Sequence, residues 1–139
     1  MKKLIRKTFD KMKQRKWNRI YWAIDVHDTI LEGNYHNDLP KFLPYAKEAL
    51  QMISNRADSC LILYSCMHFR DTLRYRALFE DHGIFFEYVN ANPEVQNTEL
   101  ANFSGKFYFN ILIEDKAGFE PERDWLEIMD ALKGYPVLK

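Results

Sequence analysis

Hydrophobic and polar positions fall in blocks along this chain. Arg19-Ile20-Tyr21-Trp22-Ala23-Ile24-Asp25 is a nearly continuous apolar and aromatic run of strand length that ends on a carboxylate, the pattern of a strand buried on both faces. After a polar stretch, Pro40 and Pro44 predict a first helical turn, and Phe42, Ala46, Ala49, Leu50 and Ile53 follow at helical spacing. Cys60-Leu61-Ile62-Leu63-Tyr64 predicts a second buried strand, which gives way at Ser65 to polar character. Phe69, Leu73 and Ala77 predict a second helix, stopped by His82-Gly83. Ile84 to Val89 predicts a third strand, and 90–106 is irregular or weakly helical. Phe107-Tyr108-Phe109-Asn110-Ile111-Leu112-Ile113 predicts a fourth strand running into Glu114-Asp115. A closing helix starts near Pro121, carries Trp125, Ile128, Met129 and Leu132 on one face, and ends at Lys133-Gly134. Glu122 and Asp124 in its first turn and the basic end suit the helix dipole.

Buried strands alternating with amphipathic helices imply right-handed crossovers and a mostly parallel sheet flanked by helices, a three-layer, Rossmann-like α/β domain. Ligands of such sheets bind beyond the carboxyl ends of the strands. The polar residues there are Asp25, His27, Asp28 and Thr29 after the first strand, Ser65 after the second, and Glu114 with Asp115 after the fourth. They are expected to converge. Carboxylates gathered at one mouth repel each other unless a hard divalent cation such as Mg²⁺ sits between them. Such an ion also suits a phosphoryl group, whose oxygens it neutralises and aligns. A hydroxyl such as Ser65 at a helix N-terminus, beside free backbone N–H groups, is a natural phosphate cradle.

The chain has 139 residues, 47% hydrophobic and 29% charged, which fits one globular domain and excludes disordered, collagen-like and disulfide-scaffold classes. Formal charge is zero, so no global field holds the protein on nucleic acid or an anionic membrane. The charge is nevertheless uneven, with nine basic residues in 1–20 against Asp10 alone. Ile5, Phe9 and Met12 at i, i+4 and i+7 predict a basic amphipathic helix over an arm of residues 1–18, ahead of a domain spanning 19–139. Its apolar stripe is expected to pack on the acidic body of the same domain or of a sister chain, with a membrane-surface or nucleic-acid contact as the alternative. The core is expected to be complete without the arm. Cys60 and Cys66 lie outside a CxxC spacing and read as free thiols of a reducing compartment. No run approaches a membrane span and the N-terminus lacks the apolar region of a secretory signal, so a cytoplasmic setting is expected by default.

Taken in order, these strand ends resemble the haloacid dehalogenase superfamily of aspartate-nucleophile phosphotransferases and hydrolases. The first family motif, a strand ending in Asp-x-Asp-x-Thr, is matched by Ile24-Asp25-Val26-His27-Asp28-Thr29; the second, a strand ending in Ser or Thr, by Leu61-Ile62-Leu63-Tyr64-Ser65. Lys106 is the best match to the lysine of the third, and Ile111-Leu112-Ile113-Glu114-Asp115 matches the acidic pair of the fourth. The resemblance covers residues 20 to 133. It implies that Asp25 is both nucleophile and Mg²⁺ ligand, forming an aspartyl-phosphate, that Ser65 binds phosphoryl oxygens, and that Lys106 balances their charge. It further implies Asp115 as a Mg²⁺ ligand, helped by Glu114, with Glu120 as an outer acid and Thr29 supporting the loop.

His27 stands where the family phosphatases carry their acid and base. The family's metal contact at that position is a backbone carbonyl, so His27 remains an implied ligand, while proton transfer depends on the imidazole. Asp28 replaces the usual Gly, as in some family phosphatases. The stretches Thr29 to Pro40 and Asn90 to Lys106 are too short for the cap domain of many relatives, so the mouth is expected to be open to a large substrate or lidded by another subunit of a homo-oligomer, with Tyr35, His36 and His68 near the opening. The leading expectation is a capless Mg²⁺-dependent phosphohydrolase acting on a phosphorylated small molecule or macromolecule. The alternative is a non-catalytic domain of the same fold that binds a phosphorylated ligand or a protein partner. A nucleic-acid module using the basic arm comes third, since no base-reading motif is present.

Overall fold

The computed structural model describes residues 1–33 and 40–137. Its elements are α1 (Lys2–Arg15), β1 (Ile20–Ile24), α2 (Ala46–Ser54), β2 (Ser59–Leu63), α3 (Phe69–Asp81), β3 (Phe86–Val89), β4 (Ile111–Ile113), a 3₁₀ turn (Asp115–Ala117) and α4 (Pro121–Leu132). The four strands form one parallel sheet in the order β3-β2-β1-β4. This is the expected α/β Rossmann-like arrangement, with no separate cap among the described residues. No described helix is long and apolar enough to cross a membrane.

Register explains how the core forms. Trp22 is paired with Leu61 and Ile111, and Ile24 with Leu63 and Ile113, so these side chains share one face of the sheet. They join a single core with Ile5 and Phe9 of α1, Leu50 and Ile53 of α2, Phe79 of α3 and Trp125 and Ile128 of α4. The steps β1 to β2 and β2 to β3 run the same way, so right-handed crossovers place α2 and α3 on that face. The return from β3 to β4 runs back over the opposite face. There, 90–110 forms the third layer without a helix: the Tyr108 ring meets Tyr21 edge-on at 6.0 Å, and the Tyr108 carbonyl accepts a 2.9 Å bond from Asn92 Nδ2.

Several expected boundaries shift, each for a local reason. The fourth strand starts at Ile111 and not at Phe107, because Asn110 closes the ladder: Tyr21 N–H donates to Asn110 Oδ1 and Asn110 N–H to the Tyr21 carbonyl, both at 2.8 Å. The third starts at Phe86, since the Ile84 and Phe85 amides are committed to Phe79 O and Ser54 Oγ, both at 2.9 Å. α2 begins only at Ala46, after Tyr45 has adopted a left-handed φ of 66°, which leaves Pro44 outside the helix.

Two larger corrections concern helix faces. Phe69, Leu73 and Ala77 do not form the buried stripe of α3: Phe69 is 72% exposed and Leu73 47%, and Ala77 is also exposed. The inward face is instead Thr72 and Phe79, with Phe79 against Phe86 at 5.2 Å and Phe42 at 6.1 Å. Burying Thr72 is tolerated because its hydroxyl donates to the Phe69 carbonyl at 2.6 Å. The basic arm is helical as expected, and its stripe packs on its own domain, but the core is not complete without it. Ile5 and Phe9 are fully buried within the same core as the sheet, and the Phe9 ring lies 6.3 Å from Trp22 and 5.3 Å from Tyr135. Among the described residues, no packing boundary separates 1–18 from the rest of the chain.

Candidate functional site

Parallel pairing of β1 with β4 aligns Ile24 with Ile113, so the residues that follow, Asp25 and the Glu114-Asp115 pair, emerge side by side. The Asp25 amide donates to the Ile113 carbonyl at 2.9 Å. Carboxylate oxygens of Asp25, Glu114 and Asp115 come within 4.8 Å of one another. Between them stands Thr29, fully buried. Its hydroxyl donates to Asp25 Oδ2 at 3.1 Å and accepts from the Asp115 amide at 3.2 Å, and its carbonyl accepts from Trp125 Nε1 at 2.8 Å. Thr29 thus joins the loop after β1 to the two acidic strand ends.

The loop after β1 is tight: the Val26 carbonyl accepts from the Ile30 and Leu31 amides at 2.8 and 3.1 Å. Asp28 takes a φ of 61°, a left-handed conformation that Asp tolerates better than most residues. The Asp28 carboxylate accepts from the Gly33 amide at 2.9 Å, in the space that a Cβ on Gly33 would need.

Burial leaves its mark on Asp25. Burial is the largest cause that raises its pKa, Glu114 and Asp115 add to it, and the bonds from Thr29 and the Val26 amide oppose it, leaving the carboxyl at about 6 against an ordinary 3.8. A cleft of about 460 Å³ opens onto this group, within the range of small-ligand sites. Asp25, Glu114, Asp115 and Lys116 line it, faced by His27, Asp28 and the turn Tyr64 to Met67.

Ser65 is held by its neighbour strand. The Ser65 amide donates to Asn90 Oδ1 at 2.9 Å, Asn90 Nδ2 donates to the Ser65 carbonyl at 2.6 Å, and Ser65 Oγ accepts from the Met67 amide at 3.1 Å. The hydroxyl hydrogen of Ser65 is therefore still available as a donor toward the cleft. His27 also lines the cleft, with its Nε2 3.1 Å from the Tyr75 hydroxyl.

The structure brings together Asp25, His27, Ser65, Glu114 and Asp115. It does not bring in Lys106, which lines a separate groove of about 690 Å³ with Phe69, Phe103 and Phe107. The lysine at the cleft is Lys116, placed there by the 3₁₀ turn that follows the acidic pair. Glu120 is also elsewhere, at the start of α4 and paired with Arg123 at 3.2 Å. His68 begins α3 outside the cleft lining, and Tyr35 and His36 lie outside the described residues. Sequence reading missed Lys116, Asn90 and Tyr75. Only Lys116 carried a signal, by directly following the acidic strand end.

A second acidic group, Cys60, Glu87 and Glu94, also lies within 4.8 Å, but Arg19 fills it. The guanidinium pairs with Glu94 at 2.8 Å, with Glu87, and with the Ser59 carbonyl at 3.2 Å. Its charge sits where a cation would. Burial, chiefly, pushes the Cys60 thiol up to about 12, so this cysteine is inert.

No protein-family model matches the chain, and no curated protein is similar to it. Among solved structures it is similar to a conserved protein coded by a locus of Bacteroides thetaiotaomicron, at 25% identity and a TM-score of 0.65, over 86% of this chain and 94% of that one. The likeness spans nearly the whole fold and shows the same α/β architecture.

Proposed function

We propose that this chain is a capless, Mg²⁺-dependent phosphohydrolase of the haloacid dehalogenase type, acting through an aspartyl-phosphate on Asp25. The observation that carries this reading is the meeting of Asp25, Glu114 and Asp115 within 4.8 Å in a cleft that also presents Ser65 and Lys116. Three hard oxygen donors at one point fit a divalent cation, which would offset both the burial that chiefly raises the Asp25 pKa and the smaller repulsion from Glu114 and Asp115. When bound between Asp25, Asp115 and Glu114, Mg²⁺ would supply charge neutralisation to phosphoryl oxygens.

The residues then divide the work. Asp25, deprotonated, attacks phosphorus; its oxygen–phosphorus bond forms as the bond to the leaving oxygen breaks, and that oxygen takes a proton from His27. Water deprotonated by His27 then attacks phosphorus, releasing phosphate and restoring Asp25. Ser65 donates its hydroxyl hydrogen to a phosphoryl oxygen. Lys116 takes the charge-balancing role that the resemblance assigns to Lys106. The open mouth admits either a phosphorylated small molecule or a phosphorylated side chain of a macromolecule, and the free thiols suit a cytoplasmic setting.

One observation favours the second reading, a non-catalytic domain that binds a phosphorylated ligand or partner: His27 Nε2 is engaged by Tyr75, which restrains the imidazole. Hydrolysis of an aryl phosphate at saturating Mg²⁺ decides. Turnover that disappears in Asp25→Asn and without the metal supports the enzyme. Mg²⁺ should also raise the melting temperature, because at a hundredfold excess over Kd a ligand of the folded state contributes about 2.7 kcal/mol, and Asp115→Asn should remove the shift. A metal-dependent shift without turnover would leave the binding reading; neither would end both.

A further inference from the structure

The basic face of α1 has no part in that site. Its apolar face is used up, since Ile5, Phe9 and Met12 are buried in the domain core. That removes the usual mode of a basic amphipathic helix on a membrane, which needs its apolar side free to enter the acyl boundary. What remains outside is a crest of cations. Lys3, Lys7 and Lys11 follow each other at every fourth residue, so they stack in one row along the axis at a rise of about 6 Å per step. Arg6 flanks the row, and all four border a wide groove of about 750 Å³ beside the helix. The acids in that groove are already engaged: Asp10 accepts from the Tyr135 hydroxyl at 2.7 Å, and Glu127 pairs with Arg123 at 3.5 Å. Other arm cations are committed elsewhere, Lys2 to Asp130 at 2.5 Å, Lys13 over the Tyr135 ring at 4.9 Å, and Arg19 to the network beneath the sheet.

We infer that the crest of α1 is a sequence-independent docking surface for the phosphate backbone of a nucleic acid, with Lys3, Arg6, Lys7 and Lys11 as the contacts. A straight row of evenly spaced cations is complementary to a partner with evenly spaced anions on a line, which a nucleic-acid strand is and an acidic loop of a folded protein is not. The chain's zero net charge makes the attraction local to this face.

The test is fluorescence anisotropy of the whole protein with a labelled 20-base-pair DNA duplex. With about four phosphates neutralised, raising KCl from about 50 to 200 mM should weaken binding by roughly a hundredfold. Lys3→Gln/Lys7→Gln/Lys11→Gln should weaken it at least tenfold at low salt and flatten the salt slope, with little change in melting temperature, because Lys3 and Lys7 are exposed, Lys11 is half-buried, and none of the three belongs to the hydrophobic core. Lys41→Gln/Arg70→Gln/Arg74→Gln, which removes the same charge from exposed positions elsewhere, should bind like wild type. Absence of duplex binding at low salt would overturn the inference, and so would equal losses in the two triple variants. Tighter retention on phosphatidylserine vesicles than on the duplex would also overturn it, in favour of a membrane surface.

Discussion

His27 Nε2 and the Tyr75 hydroxyl stand 3.1 Å apart, with the two rings edge to face at 5.4 Å. This contact ties the loop that follows β1 to the middle of α3, so the imidazole enters the cleft in a fixed pose. If the chain hydrolyses phosphate esters as proposed and the proton shuttle limits it, His27→Asp should supply a carboxylate acid and base and raise aryl-phosphate turnover at least about tenfold, since such groups contribute roughly 10²- to 10⁴-fold. His27→Ala should instead accumulate the aspartyl-phosphate, which acid quenching and intact mass would detect. A fast wild type slowed by His27→Asp would show that the histidine is itself a working acid and base, and Tyr75→Phe should then alter its pH profile. Silence of His27→Asp in a protein that still binds Mg²⁺ would favour the binding domain.

Asp25 makes stability depend on pH in the direction opposite to an ordinary paired carboxylate. Folding raises its pKa from 3.8 to about 6, so between those values the folded state holds more protons than the unfolded one, and stability falls as pH rises through that window. The shift sets a ceiling of about 3 kcal/mol, and because the side chain is half-exposed the expected loss is on the order of 1 kcal/mol. Asp25→Asn, which cannot ionise, should therefore be more stable than wild type at about pH 8 and equal to it near pH 4, as read by urea denaturation. Saturating Mg²⁺ should erase the advantage at pH 8. A variant less stable than wild type at pH 8 would contradict a carboxyl raised chiefly by burial.

Phe9 is expected to be as necessary as any residue of the sheet. It is fully buried against Trp22 and Tyr135, with the Arg56 guanidinium 5.0 Å from its ring centre. Phe9→Ala should cost about 3–5 kcal/mol. Removing residues 1–15 should abolish the cooperative melt, and a truncated protein that still unfolds cooperatively would restore the view of an arm laid on a finished domain.

How much the sequence makes legible follows from what periodicity can carry. Asp25, Ser65, Glu114 and Asp115 were visible because each ends an apolar run, and a parallel sheet places all such ends on one side. Lys106 was misplaced because it lies in 90–110, where no periodicity fixes the direction of a side chain; the lysine that reaches the cleft, Lys116, depends on a 3₁₀ turn after β4. The face of α3 was misread because Phe69-Leu73-Ala77 and Thr72-Phe79 are both helical stripes. Hydropathy prefers the first, and the local hydroxyl bond that makes Thr72 cheap to bury is invisible to it. α1 looked detachable because its cations outnumber its apolar residues, although a few buried side chains suffice to make a helix part of a core.

Asn90 was invisible for a similar reason, and the last prediction rests on it. It follows β3 in a left-handed conformation with a φ of 50°, its amide donates to the Leu63 carbonyl at 2.8 Å, and its side chain brackets the backbone of Ser65 on both sides. The clamp fixes where the Ser65 hydroxyl points. Replacement by Gly keeps the left-handed backbone free of strain and removes both side-chain bonds, each worth about 1 kcal/mol or less at this exposed position. Asn90→Gly should therefore lower the melting temperature modestly while reducing kcat/KM for an aryl phosphate by about tenfold or more, since a phosphate donor displaced by about 1 Å can cost roughly 10² in rate. Asn90→Ala should lose the same activity with a larger drop in stability, because it adds the left-handed backbone strain. Ser65→Ala in the Asn90→Gly background should cause little further loss, as both act through one hydroxyl. Full activity in Asn90→Gly, with Ser65→Ala still damaging, would show that Ser65 is positioned by its own turn to Met67 and not by the strand beside it.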